Sequence, residues 1–171
     1  MIYLALIIYL IALRIIELFV AHSNEKYQKE HGAFEVQDPY YRHIVMTHTL
    51  FFVVLIAESY VVHQWEQRLP IFIFGVFLLL QIFRFWCLIS LGRYWNTKVI
   101  VQPNSNLIVK GPYRWIKHPN YIVVGLEFLV IPIMFKAYMT GVIFFSLHLW
   151  LMNKRIPLEN SALEQYLVDK S

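Results

Sequence analysis

Residue types capable of chemistry concentrate in two short segments. The first is a polar, basic run from Val101 to Tyr121, VQPNSNLIVKGPYRWIKHPNY, which lies between two long apolar stretches and holds three of the chain's seven prolines. The second is Arg155-Ile-Pro-Leu-Glu159, just beyond the last apolar stretch. Pro112 and Pro119 fix backbone dihedrals, and Gly111 opens a turn closed to residues with a Cβ. A loop built this way holds a shape against a ligand, which a plain connector has no need to do. Pro119 and Asn120 fall where the next helix should begin, a position proline tolerates. His118 then stands at that helix start, beside backbone N–H groups free to receive an anion such as a carboxylate. Tyr113, Trp115 and Tyr121 offer ring faces to an adenine or a sulfonium cation. Arg155 and Glu159 are four residues apart and share a helix face. Arg155 suits a carboxylate or an oxyanion held bidentately, and Glu159 suits a ribose hydroxyl or an amino group. The competing reading is an aromatic and basic belt at a membrane surface.

The elements that must position these residues are membrane helices. Hydrophobic residues make up 58% of the chain and charged residues 15%, mean hydropathy is +0.52, and the apolar residues come in blocks. That excludes an ordinary soluble domain and predicts an all-α integral membrane protein with about five transmembrane helices. The expected spans are about 2–21, 44–62, 69–91, 121–135 and 138–152. Only Lys136 and Ala137 separate the last two, which predicts a tight C-terminal helical hairpin kinked at Pro132. Both are short against a hydrocarbon core that needs roughly 20 residues, so a re-entrant hairpin stands as the alternative to full crossing. The expected organisation is one structural domain in two parts: helices 1–3 in residues 1–91, with an interfacial loop at 22–43, and a C-terminal core in 92–171 that carries both polar segments. The first apolar run lacks a basic leader and a small-residue cleavage site, so it is expected to be a retained helix. Cys87 is the single cysteine and reads as a packed thiol. A net charge of +4, tied to membrane-flanking loops, gives no case for nucleic acid.

Lysine and arginine set the expected orientation. Arg68 and Lys136 fall on one side. The other side takes eleven: Lys26, Lys29, Arg42, Arg93, Lys98, Lys110, Arg114, Lys117, Lys154, Arg155 and Lys170. This asymmetry places the second side in the cytoplasm and the N-terminus outside, with the Gln102–Tyr121 loop and Arg155/Glu159 together on the cytoplasmic face. The first loop, Ser23 to Arg42, reads as a solvated connector, with a substrate lid as the alternative.

Arg14, Glu17, Glu58, Arg84 and Glu127 lie inside apolar runs, where charges are costly and face the bundle interior in pairs. Arg14 and Glu17 are three apart and can pair locally. Glu58 lies near the outer end of its helix, in the interface. Arg84 and Glu127 sit at similar depths, so a pair between them either braces the core or lines a substrate pocket. His48 and His148 read as packing residues, and no His/Glu spacing matches a metal site.

Gly111-Pro-Tyr113, then Lys117-His118-Pro119-Asn120-Tyr121, then Arg155-x-x-x-Glu159 beyond a helical hairpin together resemble the isoprenylcysteine carboxyl methyltransferase family of integral-membrane, S-adenosylmethionine-dependent enzymes. The resemblance covers about Asn96 to Leu163. It implies that Gln102 and the strand-like stretch Ser105, Asn106, Leu107, Ile108 cradle the cofactor. It further implies that Tyr113 and the run His118, Pro119, Asn120, Tyr121 form the cofactor-binding turn, that Glu159 is the cofactor-binding acid, and that Arg155 stands at the methyl-accepting group. Departures are Lys117 for the family's arginine, Val123 for a frequent glycine with Gly125 two residues later, Glu159-Asn160 for an acidic pair, and Glu127 within a helix. They are more similar to the small bacterial branch that O-methylates long-chain alkylpyrones.

The expected function is therefore methyl transfer from S-adenosylmethionine to an oxygen of a lipophilic substrate at the cytoplasmic face. The acceptor is the carboxylate of a prenylated cysteine or the hydroxyl of an alkylpyrone-type lipid. Arg155 and His118 are the catalytic candidates, and Arg155, Glu127 and Arg84 the substrate-binding ones. A carboxylate is already ionised at pH 7; a hydroxyl calls for a base, with His118 or Glu127 available. No G-x-G-x-x-G is present, which excludes a Rossmann-type cofactor domain. A non-catalytic transporter or scaffold, or a membrane reductase using a nicotinamide cofactor, are the alternatives.

Overall fold

The computed structural model describes residues 2–61 and 69–166; Val62, Arg68 and Lys170 of the sequence reading lie outside them. The elements run α1 (Ile2–Glu30), β1 (Phe34–Glu35), α2 (Tyr41–Val61), α3 (Ile71–Leu91), β2 (Ile100–Val101), α4 (Pro119–Phe135) and α5 (Tyr138–Tyr166), with 3-10 turns at Gly92–Tyr94 and Gly111–Arg114. By length and composition α1, α2 and α3 are each able to cross a membrane, and α4 is a shorter apolar helix of 17 residues. At 1.5 Å per residue α4 is about 25 Å long, close to the roughly 30 Å of a hydrocarbon core.

The α4–α5 hairpin turns as tightly as expected. Lys136 takes the left-handed conformation (φ 53°). Its N–H donates to Ile133 O (3.1 Å), and the Ala137 N–H donates to Pro132 O (2.8 Å). These are the two bonds of a Schellman cap, formed here without glycine. Glu58, near the far end of α2, accepts from the Met139 and Thr140 N–H groups (3.0 and 2.7 Å) and from the Thr140 hydroxyl (2.6 Å). It therefore caps the start of α5 rather than merely resting in the interface. The tip of the hairpin thus packs at the level of α2's far end.

Two helices outrun their apolar stretches. α1 continues past Ala21 to Glu30, and α5 continues past Met152, through Pro157, to Tyr166. Hydropathy ends where the lipid ends, but inward contacts do not. Along α1 the inward stripe reads Tyr3, Ile7, Leu10, Arg14, Glu17, Ala21, Asn24, Gln28, alternating steps of four and three as in a heptad. The first three join the main apolar core with Phe51 and Leu55 of α2, Phe77 of α3 and Phe128, Ile131 and Phe135 of α4. The next two are charged. The last two are buried amides: Asn24 Nδ2 donates to Gly92 O and Trp95 O (3.2 and 2.8 Å), and Gln28 Nε2 donates to Arg93 O (2.7 Å).

The segment 22–43 is largely exposed, as expected, but it is more than a connector. Its first part is helix, and its second part pairs with the long loop: β1 and β2 are antiparallel, Phe34 opposite Val101 and Glu35 opposite Ile100. A small apolar cluster of Val99, Val101 and Ala162, flanked by Val36, Leu158 and Leu163, joins this ladder to α5. The strand lies at 100–101, and 105–108 forms none; only the former meets a partner edge, and its branched side chains have a surface to pack on.

Candidate functional site

The loop-bearing end of the bundle gathers the residues singled out above. α4 begins at Pro119 with His118 as its N-cap, as the prolines require. Tyr121, in the first turn, donates its hydroxyl to Glu159 Oε2 of α5 (2.5 Å). The His118 ring stacks on the Tyr121 ring (5.4 Å, 12°). Its Nε2 lies 3.0 Å from Asn160 Oδ1 and its Nδ1 3.8 Å from Glu159 Oε2. Arg155, one turn before Glu159, holds its guanidinium carbon 5.8 Å from the centre of the Tyr121 ring. The shared helix face expected for Arg155 and Glu159 is thus realised, and Tyr121 is the residue they share.

Two features let α4 and α5 approach this closely. His148 Nε2 lies 2.9 Å from the Tyr121 carbonyl, one and two turns before Met152 and Arg155. Gly125 gives the imidazole its space: a Cβ there would stand 3.1 Å from His148 Cδ2. His148 is thus a packing residue that positions the start of α4.

Arg155 is 3% exposed and largely committed. Its Nη2 donates to Thr97 O (2.5 Å), and its Nη1 lies 3.6 Å from Asp38 Oδ2. Asp38 belongs to the segment before α2, and its Oδ1 accepts from the Tyr40 N–H (2.8 Å), a local turn typical of aspartate. Sequence reasoning missed Asp38. Its signal is the Asp38-Pro39 pair directly before a helix. Asn120 Oδ1, Asp38 Oδ2 and Arg155 Nε are buried without a hydrogen-bond partner among the described residues.

The loop from Gln102 to Tyr113 divides. Gln102 Nε2 donates to His31 O (3.3 Å), Ser105 Oγ donates to Gln102 O (2.8 Å), and the Asn104 N–H donates to Tyr166 O (3.1 Å). These bonds pin residues 102–105 to the ends of α1 and α5. Asn106 and Leu107 are exposed and Ile108 is half-buried, with no hydrogen bond or ring contact to the Tyr121–Glu159 pair. Gly111 (φ +53°) seats the next turn on α3, where a Cβ would fall 2.1 Å from Ser90 Oγ. Burial pushes the Tyr113 hydroxyl well above the usual tyrosine range, with Cys87 and Glu159 adding to the effect.

Nearby, Lys29 and Lys98 both reach Glu25 (2.5 and 3.0 Å) and Glu35 (3.2 and 3.1 Å). The hydrogen bond from Lys29, with Lys98 behind it, holds the Glu25 carboxyl below its usual range.

Arg84 and Glu127 lie elsewhere, in a buried four-charge network. Arg84 grips Glu17 with Nε and Nη2 (2.6 and 2.7 Å) and Glu127 with Nη1 (2.8 Å). Arg14 bridges Glu17 and Glu127 (2.7 and 2.8 Å), and Gln81 Nε2 donates to Glu127 Oε1 (2.8 Å). Both pairs read from spacing and depth are present, fused into one network that sums to zero charge. A cavity of about 100 Å3 between α1 and α3, walled by Ile16, Val20, Phe85 and Leu88, reaches Glu17, Gln81 and Arg84.

Comparison with known proteins fits this layout. The chain is 44% identical over 163 residues, 95% of its own length and 97% of the relative's, to a Bacillus subtilis protein described as uncharacterized protein YpbQ. No solved structure matches. A family model for isoprenylcysteine carboxyl methyltransferase matches residues 71–165, from the start of α3 to the end of α5, and so takes in every side chain of the Tyr121–Arg155–Glu159 cluster. By that match the chain belongs to the isoprenylcysteine carboxyl methyltransferase family, whose members are membrane methyltransferases.

Proposed function

We propose that this protein transfers a methyl group from S-adenosylmethionine to an oxygen of a lipophilic acceptor. The acceptor is the carboxylate of a prenylated cysteine or the hydroxyl of an alkylpyrone-type lipid. The reaction takes place at the cytoplasmic face, with the N-terminus outside and the acceptor's tail among membrane lipids. The carrying observation is the cluster in which Tyr121, His118 and Glu159 close around the start of α4 one turn from Arg155.

The residues present fit the cofactor. Glu159 is the acid for its ribose or amino group, and the unpartnered Asn120 Oδ1 is a free acceptor for an N–H donor. The first-turn N–H groups of α4 suit its carboxylate. The Tyr121 and His118 rings suit a sulfonium. The bound cofactor supplies an electrophilic methyl group on sulfur. Arg155 orients the acceptor oxygen, and the buried walls exclude water. That favours a step in which opposite charges are consumed, while alignment supplies much of the remaining acceleration. Residues 92–171 form the catalytic core, with the first three helices closing it.

The test is calorimetric titration of the detergent-purified protein with S-adenosylmethionine. Micromolar binding, lost in Glu159→Ala and Tyr121→Ala, supports the site. A folded wild-type protein that does not bind the cofactor refutes it, and a parallel titration with a nicotinamide cofactor checks the reductase alternative.

A further inference from the structure

The segment 109–117 has two faces. Inward, Pro112 is buried and Tyr113 faces Cys87 and Glu159. Outward, Lys110, Arg114, Trp115, Ile116 and Lys117 are all exposed, Trp115 by 71%. The Trp115 and Ile116 N–H groups close the turn by donating to Pro112 O (3.2 and 3.1 Å), and α3 fixes its depth. The Gly111 backbone lies against Trp86 and Ser90, and the Trp115 ring meets the Trp86 ring at 6.2 Å. Trp86 belongs to the last turns of a helix long and apolar enough to cross a membrane, in an exposed stripe with Ile82, Phe85 and Ile89. Trp115 therefore prolongs the lipid-facing surface of α3 at the level where tryptophan belts lie. Around it stand three cations. No Asp or Glu occurs from residue 67 to residue 126. Among the described residues Lys110, Arg114 and Lys117 have no carboxylate partner, whereas Lys29, Lys98 and Arg155 at the same end are all paired. Arg114 instead lies over the Trp115 ring, its guanidinium carbon 5.9 Å from the centre.

We propose that Lys110, Arg114 and Lys117, grouped around Trp115, form a docking site for an anionic phospholipid, with its phosphate among the three cations and its acyl chains along the Trp86 stripe of α3. Two features of the surface select this partner. The stripe below Trp115 calls for hydrocarbon, which in a membrane is a lipid chain. The cations at headgroup level call for a net negative charge, which a zwitterionic lipid brings only together with its own ammonium. A free phosphate or an acidic protein segment satisfies the cations but gains nothing from Trp115 and α3. Near an anionic membrane surface each Lys or Arg is worth about fivefold in affinity, and Arg114 can hold a phosphate through two parallel N–H bonds. The tryptophan ring, apolar in body and polar at its N–H, suits the boundary between headgroup and chain. The binding-loop and membrane-belt readings of the 101–121 run then hold together, on opposite faces of one turn.

The test is native mass spectrometry of the full chain released from a nonionic detergent. The protein is titrated with dioleoylphosphatidylglycerol or dioleoylphosphatidylcholine, and the binding constants for the first lipid are compared. The wild type is expected to prefer the phosphatidylglycerol by at least about tenfold, within what three cations supply at about fivefold each. Lys110→Gln/Arg114→Gln/Lys117→Gln should bring the two lipids to within about twofold of each other, since the neutral amides no longer attract the net charge. Lys26→Gln/Arg42→Gln/Lys154→Gln removes the same charge from exposed positions elsewhere and should leave the preference in place. Trp115→Ala keeps every charge and should weaken both lipids; unchanged binding there overturns the seating on α3. An equal loss of preference in the two triple variants means net charge without a site and overturns the proposal, as does a wild type that shows no preference. Glycerol 3-phosphate or a hexaglutamate peptide in excess should leave the phosphatidylglycerol bound. Displacement by either assigns the cations to a free phosphate or to an acidic protein segment and overturns the lipid as partner. No cofactor is added at any stage, so these outcomes are independent of the methyltransferase reading.

Discussion

Replacing Glu127 with glutamine tests what holds α1, α3 and α4 together. The residue is 3% exposed, and its carboxylate receives three contacts of 2.8 Å, from Arg14, Gln81 and Arg84. The substitution keeps the shape and removes the charge, leaving two guanidinium groups to share Glu17. Removing one partner of a buried ion pair typically costs about 3–5 kcal/mol, because the surviving charge stays desolvated and uncompensated. Glu127→Gln should lie in that range. Restoring neutrality should then reverse part of the loss. In Arg14→Met/Glu127→Gln the remaining charges are Arg84 and Glu17, which meet through the paired contacts of 2.6 and 2.7 Å. The double variant should therefore be more stable than Glu127→Gln alone by about 1–2 kcal/mol, an outcome additive effects cannot produce. Reversible unfolding of the purified protein in mixed micelles, titrated with a denaturing detergent, reads both numbers. A cost for Glu127→Gln below about 1 kcal/mol, or a double variant at least as unstable as the sum of its parts, refutes the reasoning.

Three further outcomes follow from single positions. Gly111→Ala meets both a positive φ and a Cβ 2.1 Å from Ser90 Oγ, whereas Gly92→Ala meets a similar φ (+54°) with nothing within 4 Å. Gly92→Ala should cost about 1–2 kcal/mol and Gly111→Ala at least about 1 kcal/mol more, measured in the same unfolding assay, with cofactor affinity falling only for Gly111→Ala. Glu58→Ala removes the cap on the start of α5 and should cost about 1–2 kcal/mol; cysteine labelling at the hairpin tip should show it loosening there first. Glu25, whose carboxyl is lowered from the usual 4.5 by Lys29 and then Lys98, contributes stability that is present above 4.5 and lost as pH falls through its lowered value. Melting temperature followed from pH 7 to pH 3 should drop more steeply in the wild type than in Glu25→Gln, and parallel curves would remove this quartet as a support of the loop.

Much of this was legible in the sequence, and each miss has its own physical cause. Apolar blocks gave the helices, because lipid forces the backbone to satisfy itself within each span. Prolines and glycine located the turn at 111–121, since they act through local dihedrals. The pairings Arg14–Glu17 and Arg84–Glu127 followed from helical spacing and depth. What hydropathy could not register was the continuation of α1 and α5 beyond the membrane, where the inward residues become Asn24, Gln28, Arg155 and Glu159. The α1 stripe keeps its heptad step through that change of polarity, so periodicity held the signal that composition lost. The pairing of β1 with β2 was out of reach for another reason. Two-residue strands carry no period, and their register is set by α1 and α3 delivering both segments to one end of the bundle. Asp38 was missed because it lies outside the part of the chain whose motifs were recognised.

That last point bears on how the molecule is put together. The family match begins at α3, yet the buried charges of the matched region are completed from outside it. Within residues 71–165, Arg84 could satisfy only Nη1, on Glu127; its Nε and Nη2 are taken up by Glu17 of α1. Arg155 likewise meets its carboxylate in Asp38, between α1 and α2. The backbone carbonyls of residues 92, 93 and 95 find their side-chain donors in Asn24 and Gln28. Apart from the 3.6 Å Arg155–Asp38 ion pair, each of these is a hydrogen bond at a buried or half-buried position, where an unmade partner costs more than a made one gains. The first two helices are therefore tied to the core through specific side chains as well as apolar area. Those side chains are Glu17, Asn24 and Gln28 of α1, with Asp38 just ahead of α2.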